Sequence, residues 1–393
     1  MSNQTSTSHN DKNVQRVPLL DIQRENGPLQ DELRSAVNDV IESGWFVLGP
    51  ACQKLEELLA EQCGAKHAIG CASGSDALLL ALMALDIGTG DEVIVPSFTF
   101  FATASAPWRL GAKPVFVDID PASFNIDPQA VEAAITPVTK AIIPVHLFGQ
   151  CADMNALQAI AEAHNIPLIE DAAQAIGARY QDQGAGAMGA IGCFSFYPTK
   201  NLGGCGDGGM LTTNDDALAD RLRRLRNHGM EPRYYHQEVG VNSRLDAFQA
   251  AALGVKFPHL ADWSQARREN AQRYDKLFSE SGLADQLTLP TEADGCYHVW
   301  NQYTIRVPGG QRDALRTHLQ SENVGSEIYY PVPLHQQECF AGLMTTEGEL
   351  PETDKAALEV LSLPIFPQIT AAEQEYVVQK IVQFHQGAAR SAA

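Results

Sequence analysis

The chain has 393 residues, 45% of them hydrophobic, and a formal net charge of −20 at pH 7. A surface this acidic repels nucleic acid and anionic lipid, so we exclude both as partners. The length predicts about two to three domains with a large core, which is ordinary for a soluble globular enzyme.

The cysteine pattern and the N-terminus indicate the cellular compartment. The eight cysteines form no Cys-x-x-Cys pair and no disulfide-rich framework, which predicts reduced thiols in a cytoplasmic protein and no metal site. Residues 1–16 are polar and lack the apolar stretch of a signal peptide, which predicts a disordered tail. The longest apolar run, residues 77–85, is far too short to span a membrane.

After the tail, helices alternate with short apolar strands as far as residue 226. The predicted helices are 29–43, 53–63, 75–85, 99–110, 128–135, 155–164 and 215–226. The predicted strands are 92–95, 114–117, 141–145, 167–169, 193–196 and 209–213. Short apolar strands that alternate with helices predict a mainly parallel sheet with both faces covered.

The pattern changes in the C-terminal third of the chain, where single strands mix with helices. Helices 244–255 and 262–281 are predicted as a helical connection. From residue 285 on, the predicted elements are helices 311–321 and 370–384 and strands 302–307 and 326–328. This mixture indicates a smaller α+β domain. The predicted division is a tail at 1–16, a large domain at 17–260 and a small domain at 261–393.

One candidate anion site lies where the apolar helix after residue 74 begins. Small residues there leave the N–H groups of Gly74, Ser75 and Asp76 able to bind an anion, and the helix dipole adds to the attraction. The alternative interpretation is a simple helix cap by Ser73 or Ser75.

Three other segments carry polar residues that interrupt the apolar pattern. Asp171 closes an apolar strand, where its carboxylate can hold a cationic ring nitrogen or cap the next helix. Lys200 follows another strand, on which Ser195 can bind phosphate; in a dry pocket this lysine becomes a nucleophilic amine, and otherwise it is a solvated surface charge. Asn242 and Arg244 can bind anions or form a turn that caps a helix.

Taken together, these segments match the needs of one cofactor, pyridoxal 5′-phosphate (PLP). Its phosphate needs N–H and hydroxyl donors, its pyridine nitrogen needs an acid to stay protonated, and its aldehyde needs an amine. In open α/β sheets such groups meet at the carboxyl ends of the strands.

At this point the chain resembles the DegT/DnrJ/EryC1/StrS family of sugar aminotransferases, of the fold type I (aspartate aminotransferase) superfamily. The resemblance extends from about Pro18 to the C-terminus and rests on the ordered motifs SGSDALLLAL, GDEVIVPSFTFFATA, PVHLFGQCADM, IEDAAQAIGA, FSFYPTKNLGGCGDGG and GVNSRLDAFQAA. It implies a three-layer large domain with a mainly parallel seven-stranded sheet that binds PLP, and a smaller C-terminal α+β domain.

The resemblance also implies roles for single residues. Lys200 corresponds to the lysine that forms the Schiff base and shuttles the proton, and Asp171 to the partner of the ring nitrogen. The other implied cofactor-binding residues are Gln174 beside the 3-hydroxyl, Phe100 stacked on the ring, and the phosphate ligands Gly74, Ser75, Ser195 and Asn242. In the family Asn242 comes from the other subunit, which implies a homodimer with shared active sites.

Relatives with a histidine in place of Lys200 remove a hydroxyl, so the lysine favours transfer of nitrogen, with glutamate as the implied donor. The implied acceptor is a nucleotide-linked keto sugar, of which UDP-2-acetamido-3-oxo-glucuronate is the first candidate. The implied substrate-binding residues are Arg244, Tyr329, Tyr330 and His335, and a structural role for His335 stays open. Tyr329 stands where the family suggests a histidine, and His146 where it suggests a small residue, so the uronate also stays open.

Three alternatives remain at the level of the sequence. The acceptor can be a dTDP- or GDP-linked 3- or 4-keto sugar, the enzyme can be a PLP dehydratase or synthase that shares the lysine, or the protein can be a non-catalytic regulator. The presence of Lys200, Asp171 and Gln174 together disfavours the regulator, because a decayed site has no reason to keep all three.

Overall fold

The computed structural model describes residues 16–283, 286–343 and 350–392. Residues 1–15 of the predicted tail lie outside these ranges. The α-helices are α1 Ile22–Asn26, α2 Gln30–Ser43, α3 Pro50–Cys63, α4 Gly74–Ala84, α5 Ala102–Arg109, α6 Pro128–Ala134, α7 Met154–His164, α8 Asp216–Leu225, α9 Ala247–Lys256, α10 Leu260–Ser281, α11 Arg312–Ser321, α12 Pro351–Glu359 and α13 Ala371–Ala392. Short 3₁₀ turns occupy Gly27–Leu29, Leu147–Gly149, Phe257–His259, Leu334–Gln336 and Glu338–Phe340.

The strands are short, as the apolar runs predicted. They are β1 His67–Cys71, β2 Glu92–Pro96, β3 Lys113–Val117, β4 Thr139–Ile142, β5 Ile169–Asp171, β6 Arg179–Tyr180, β7 Gln183–Gly184, β8 Ile191–Ser195, β9 Gly209–Thr213, β10 Cys296–Tyr297, β11 Tyr303–Arg306 and β12 Val360–Leu363. Within the described ranges, no helix is both long and apolar enough to cross a membrane.

The central strands form one ladder of four, in the order β1-β9-β8-β5, and one of three, in the order β3-β2-β4. The pairs β2–β3, β2–β4 and β5–β8 are parallel, whereas β9 runs antiparallel to β1 and β8. Parallel bridges from Ile142 to Leu168 and from Val145 to Asp171 join the two ladders. The mainly parallel arrangement is confirmed, and the count of seven strands in one sheet stays a prediction.

Helices cover both faces of this arrangement, and neighbouring residues of one strand show the alternation. Ile94 of β2 packs into a cluster with α3, α6, α7 and α9, whereas Val93 and Val95 pack into another with α4, α5 and α8. Side chains on a strand point alternately to opposite faces, so apolar residues at every position require cover on both sides. The result is three layers, helix on sheet on helix.

A third apolar cluster is built mainly by α10, α11, α13, β11 and β12, and it also includes Val17. The backbone of Val17 donates to Asn323 and accepts from Gly325, so the first described segment pairs with the C-terminal part. The predicted α+β character of this part is confirmed by β11 and β12 and the helices around them. The exact domain boundaries stay predictions.

The predicted strand at 326–328 was wrong, since it is only an isolated bridge between Glu327 and Ser362. Several elements were not predicted, among them the strands β1 and β12 and the helix α12. Gly70 in β1 weakens the strand signal, and a Cβ added there would make a tight contact, 3.1 Å, with the Cβ of Leu245. The strand forms through its pairing with β9, a contact between distant segments that local propensity does not register.

Candidate active site

The topology brings the predicted amine and carboxylate to one edge of the sheet. Strands β5 and β8 are parallel neighbours, with Asp171 opposite Cys193. Both strands therefore end at the same edge, where Asp171 closes β5 and the loop with Lys200 follows β8. Ligands of open α/β sheets bind at such carboxyl ends.

Asp171 is a buried carboxylate with a defined set of donors. One oxygen accepts a hydrogen bond from the Thr103 hydroxyl at 2.8 Å, and the other accepts from the backbone N–H of Ala173 at 3.2 Å. Burial raises the pKa of the Asp171 carboxyl, while both hydrogen bonds and the charge of Lys200 oppose the rise. A cationic partner in the site stabilises the ionised form.

Sequence reasoning missed Thr103. Its side chain is fully buried on α5 and also contacts the hydroxyl of Thr99 at 3.2 Å. The only local signal was a pair of threonines four residues apart, which places them on one helical face. Such a pair does not reveal that Thr103 donates to the Asp171 carboxylate, because that hydrogen bond joins α5 to β5, which lie far apart in the sequence.

Lys200 lies in the turn that follows β8. Lys200 is half-buried, and its backbone N–H donates to the Tyr197 carbonyl at 2.9 Å. Its Nζ has no hydrogen-bond partner in the part of the chain that the structure describes. Burial lowers the pKa of the Lys200 amine to about 8, against the opposing attraction of Asp171. About one tenth of this amine is therefore neutral, and nucleophilic, at pH 7, far more than for an ordinary lysine.

The start of α4 forms the predicted anion cradle. Ser73 caps the helix by accepting from the N–H of Asp76 at 3.1 Å, so this N–H is not free, contrary to expectation. The N–H groups of Gly74 and Ser75 have no acceptor within the described residues. A Cβ on Gly74 would lie 2.7 Å from the Cβ of Ser195, so the glycine lets the helix start approach this serine closely. The cap and the anion site therefore coexist.

Ser243 supports this cradle, a role that sequence reasoning did not assign to it. Its hydroxyl donates to the Asp76 carboxylate at 2.7 Å and accepts from the Ala72 N–H at 3.2 Å. The adjacent Asn242 is exposed and forms a backbone bridge with Asn227. The segment predicted to serve another subunit thus braces the cradle of its own chain.

Gln174 and two aromatic residues border the same edge. The Gln174 side chain accepts from the Phe148 N–H at 2.6 Å and donates to the Tyr330 hydroxyl at 3.1 Å. The ring of Phe100 lies 6.4 Å from that of Tyr330, and its side chain is 57% exposed. A stacking surface is thus accessible at Phe100, although the role of each residue toward a cofactor stays a prediction.

The predicted substrate residues fall into two groups. Tyr329 packs edge-on against Tyr330, with ring centroids 5.9 Å apart, and so borders the site. Arg244 donates to the Asn227 side chain at 3.0 Å rather than to any predicted cofactor residue. His335 forms a short contact from Nδ1 to the Ser97 hydroxyl, 2.7 Å, which supports a structural role.

His146 belongs to a fully buried pair with Glu170 rather than to an open pocket. Its Nε2 lies 2.9 Å from the Glu170 carboxylate, and its Nδ1 accepts from the Ala152 N–H at 3.2 Å. Glu170 also accepts hydrogen bonds from the backbone N–H groups of Gly186, Met188 and Gly189. Buried polar groups need such complete partners, so this pair anchors strand β5, which ends at Asp171.

A family model for the DegT/DnrJ/EryC1/StrS aminotransferases matches residues 28–382. The chain belongs to this family. Of the solved structures that resemble this member of the DegT/DnrJ/EryC1/StrS family, that of S. venezuelae DesV in complex with a ketimine intermediate has a TM-score of 0.90 and 43% identity. The match covers 94% of this chain and 98% of that one. The family and fold class predicted from the sequence are confirmed.

Three curated relatives of this family member are similar over nearly their whole length. A pleiotropic regulatory protein of Geobacillus stearothermophilus is 53% identical, over 94% of this chain and 98% of its own. A UDP-N-acetyl-3-dehydro-alpha-D-glucosamine 3-aminotransferase of Acidithiobacillus ferrooxidans is 48% identical, over 90% of this chain and 94% of its own. A UDP-2-acetamido-2-deoxy-3-oxo-D-glucuronate aminotransferase of Pseudomonas aeruginosa is 43% identical, over 91% of this chain and 97% of its own.

The protein is a PLP-dependent aminotransferase, and its residues fit this cofactor. Among the described residues, the N–H groups of Gly74 and Ser75 have no acceptor and suit the phosphate, the buried Asp171 suits a protonated ring nitrogen, and the Lys200 amine, without a partner there, suits the aldehyde. When bound, PLP supplies an aldehyde that combines with amines and a ring that accepts electrons. Lys200 can then accept or donate a proton at Nζ, because its lowered pKa keeps both forms available.

Proposed function

We propose that this family member transfers the amino group of glutamate to C3 of a UDP-linked, N-acetylated 3-keto sugar. The observation that carries transamination is the free Lys200 amine, with its lowered pKa, at the sheet edge that Asp171 closes. The sugar rests on the names of the two UDP-sugar relatives. UDP-2-acetamido-3-oxo-glucuronate remains the first candidate, beside the corresponding glucosamine without the C6 carboxylate.

The remaining partners belong to the same proposal. Glutamate as donor, a homodimer with shared active sites and a cytoplasmic location are all predictions from the sequence. A role in polysaccharide or glycan precursor synthesis follows from an amino sugar as product. The name of the regulatory relative offers a second candidate, but the intact Lys200, Asp171 and Thr103 contacts favour catalysis.

The test offers the loaded enzyme ¹⁵N-glutamate with UDP-linked 3-keto sugars, with and without the C6 carboxylate. It offers dTDP-linked, GDP-linked and 4-keto sugars in parallel, and both products are read by mass spectrometry. We expect 2-oxoglutarate and a ¹⁵N-amino sugar, and each half of the ping-pong cycle should proceed separately. Lys200→Ala is the inactive control. Nitrogen transfer only to dTDP- or GDP-linked sugars, or only to 4-keto sugars, would contradict the proposed substrate.

A further inference from the structure

The loop that carries Lys200 is held from behind by one face of α9. Gln249 of this helix accepts a hydrogen bond from the N–H of Cys205 at 2.8 Å. Seven residues further on, the Lys256 ammonium donates to the carbonyl of Gly203 at 2.7 Å. Residues seven apart lie on the same helical face, two turns from each other, so one face of α9 holds the loop through two hydrogen bonds.

The second of these hydrogen bonds is made by a charged group that is fully buried. Lys256 is 0% exposed, and its Nζ lies 3.9 Å from the carboxylate of Glu25 on α1, which is also buried. A buried ammonium carries a large desolvation cost, and a methionine of similar length would fill the space without it. A carbonyl and a counter-ion within reach explain how the charge is tolerated, but not why a charge is present.

A second buried cation lies behind the same carboxylate. Arg267 of α10 is nearly fully buried and donates to the carbonyls of Trp300 and Ile365, while its Nε has no partner within the described residues. Glu25 lowers the electrostatic cost of both cations, whose pKa values fall below the ordinary range because of burial. Burial raises the pKa of Glu25 itself.

We propose that Lys256 is a positioning residue for Lys200: its buried ammonium fixes the Gly203 carbonyl, and Glu25 holds the ammonium in place. The N-terminal helix α1 is thereby connected to the catalytic loop through one carboxylate and one amine. With the loop fixed, the Lys200 amine stays in the dry environment beside Asp171 that makes it nucleophilic.

The charged groups around each amine are few. Asp171 is the charged group whose field acts on Lys200. Lys256 experiences the field of Glu25 on α1 and of the Cys205 thiol on the loop. If mutation of Lys256 changes the pKa of Lys200, the change must therefore arise from a different position and hydration of the loop.

The test measures how PLP attachment to Lys200 depends on pH. Full-length protein freed of cofactor is mixed with PLP between pH 6 and 10 and reduced with borohydride, and the labelled Lys200 peptide is quantified by mass spectrometry. In Lys256→Met the loosened loop hydrates the amine. We expect the pH midpoint of labelling to rise by about one unit, and labelling at pH 7 to fall about tenfold.

Two further variants and one control complete the design. Lys256→Arg keeps a donor for Gly203 and should restore part of the wild-type midpoint. Glu25→Gln preserves size and removes the counter-ion, so a smaller rise is expected. Arg312→Met is the control, because Arg312 is another buried cation that donates to carbonyls, those of Ala357 and Val360, away from the lysine loop.

An unchanged midpoint in folded Lys256→Met would overturn the proposal, as would an equal shift in the Arg312→Met control. If Lys256→Met does not fold, Glu25→Gln decides, and a wild-type midpoint in that variant would overturn it. Failure of wild-type protein to label Lys200 would overturn the cofactor attachment as well. The positioning role rests on Lys200 as proposed above, but the sugar plays no part in this experiment, so its outcome is independent of the proposed sugar substrate.

Discussion

At the scale of single residues, the buried Asp171 and the half-buried Lys200 interact electrostatically and have displaced pKa values. Burial raises the pKa of Asp171 and lowers that of Lys200, and each group opposes the shift of the other. Both charged forms are disfavoured without cofactor, because neither has the hydration that it would have in water. The cationic ring nitrogen and the aldehyde of PLP are the partners that relieve these costs.

This displacement predicts a pH-dependent stability difference for Lys200→Met. Because the folded pKa of Lys200 is about 8, below the value of about 10.4 for a free lysine, the unfolded chain binds more protons between these values. Cofactor-free wild type should therefore gain stability as pH rises through this window. Lys200→Met should be the more stable protein at pH 7, with an advantage that shrinks toward pH 10.

Urea unfolding of both cofactor-free proteins at pH 7, 8, 9 and 10 measures this difference. Lys276→Met, which removes an exposed lysine on α10, controls for the loss of a charge. An advantage of Lys200→Met that stayed constant or grew above pH 8 would show that the amine is not desolvated in the folded protein.

The residues that sequence reasoning identified are those at strand ends and helix starts. Asp171, Lys200 and Gly74 interrupt apolar runs, and such interruptions are visible in the sequence itself. Thr103, Ser243 and Lys256 were missed, because each acts on a residue at least 50 positions away along the chain. Contacts of that kind depend on how elements pack, which no local pattern records.

At the scale of elements, the anion cradle is a property of the start of α4. Its dipole and unpaired N–H groups favour a phosphate, and the absence of a side chain at Gly74 allows Ser195 to approach. The same helix is buried on nearly all sides, so its start cannot move to admit a larger residue.

Gly74→Ala should therefore weaken PLP binding. A Cβ 2.7 Å from that of Ser195 forces α4 and β8 apart, and we expect a loss of about tenfold or more in affinity, since contact displacements of this kind cost about 1–3 kcal/mol. Gly254→Ala on α9 is the matched control, because nothing lies within 4 Å of its added Cβ. It should keep the affinity and stabilise the fold by about 0.5–1 kcal/mol.

The measurement is fluorescence titration of PLP together with thermal unfolding of each variant. Wild-type affinity in Gly74→Ala would mean that the phosphate does not bind at the start of α4.

At the scale of the whole molecule, one surface lies outside the three clusters and remains apolar. Trp45, Phe46 and Val47 are all exposed, Trp45 by 62%. The Phe46 carbonyl accepts the N–H of Ala247, so this apolar surface adjoins the segment that carries Asn242. Exposed apolar surface of this kind is typical of interfaces, which supports the proposed homodimer.

A shared site predicts complementation between two defective variants. Lys200→Ala removes the amine, and Asn242→Asp repels the phosphate from the partner's site, so each homodimer should be nearly inactive. After mixed refolding, half of the dimers combine both chains and regain one intact site of two, or about one quarter of wild-type activity. No gain above the two separate variants would contradict a site shared between subunits.

The sequence alone determined the family, through the order of its motifs, and it also determined the cofactor and the alternation of helices and strands, because these last two depend on polar residues at element ends and on local apolar patterns. Only the tertiary structure decided that β1 is a strand, that 326–328 is not, and that Thr103, Ser243 and Lys256 support the site. The physical reason is that those features arise from contacts between elements distant in sequence. Their energies come from packing and burial, which exist only once the chain has folded.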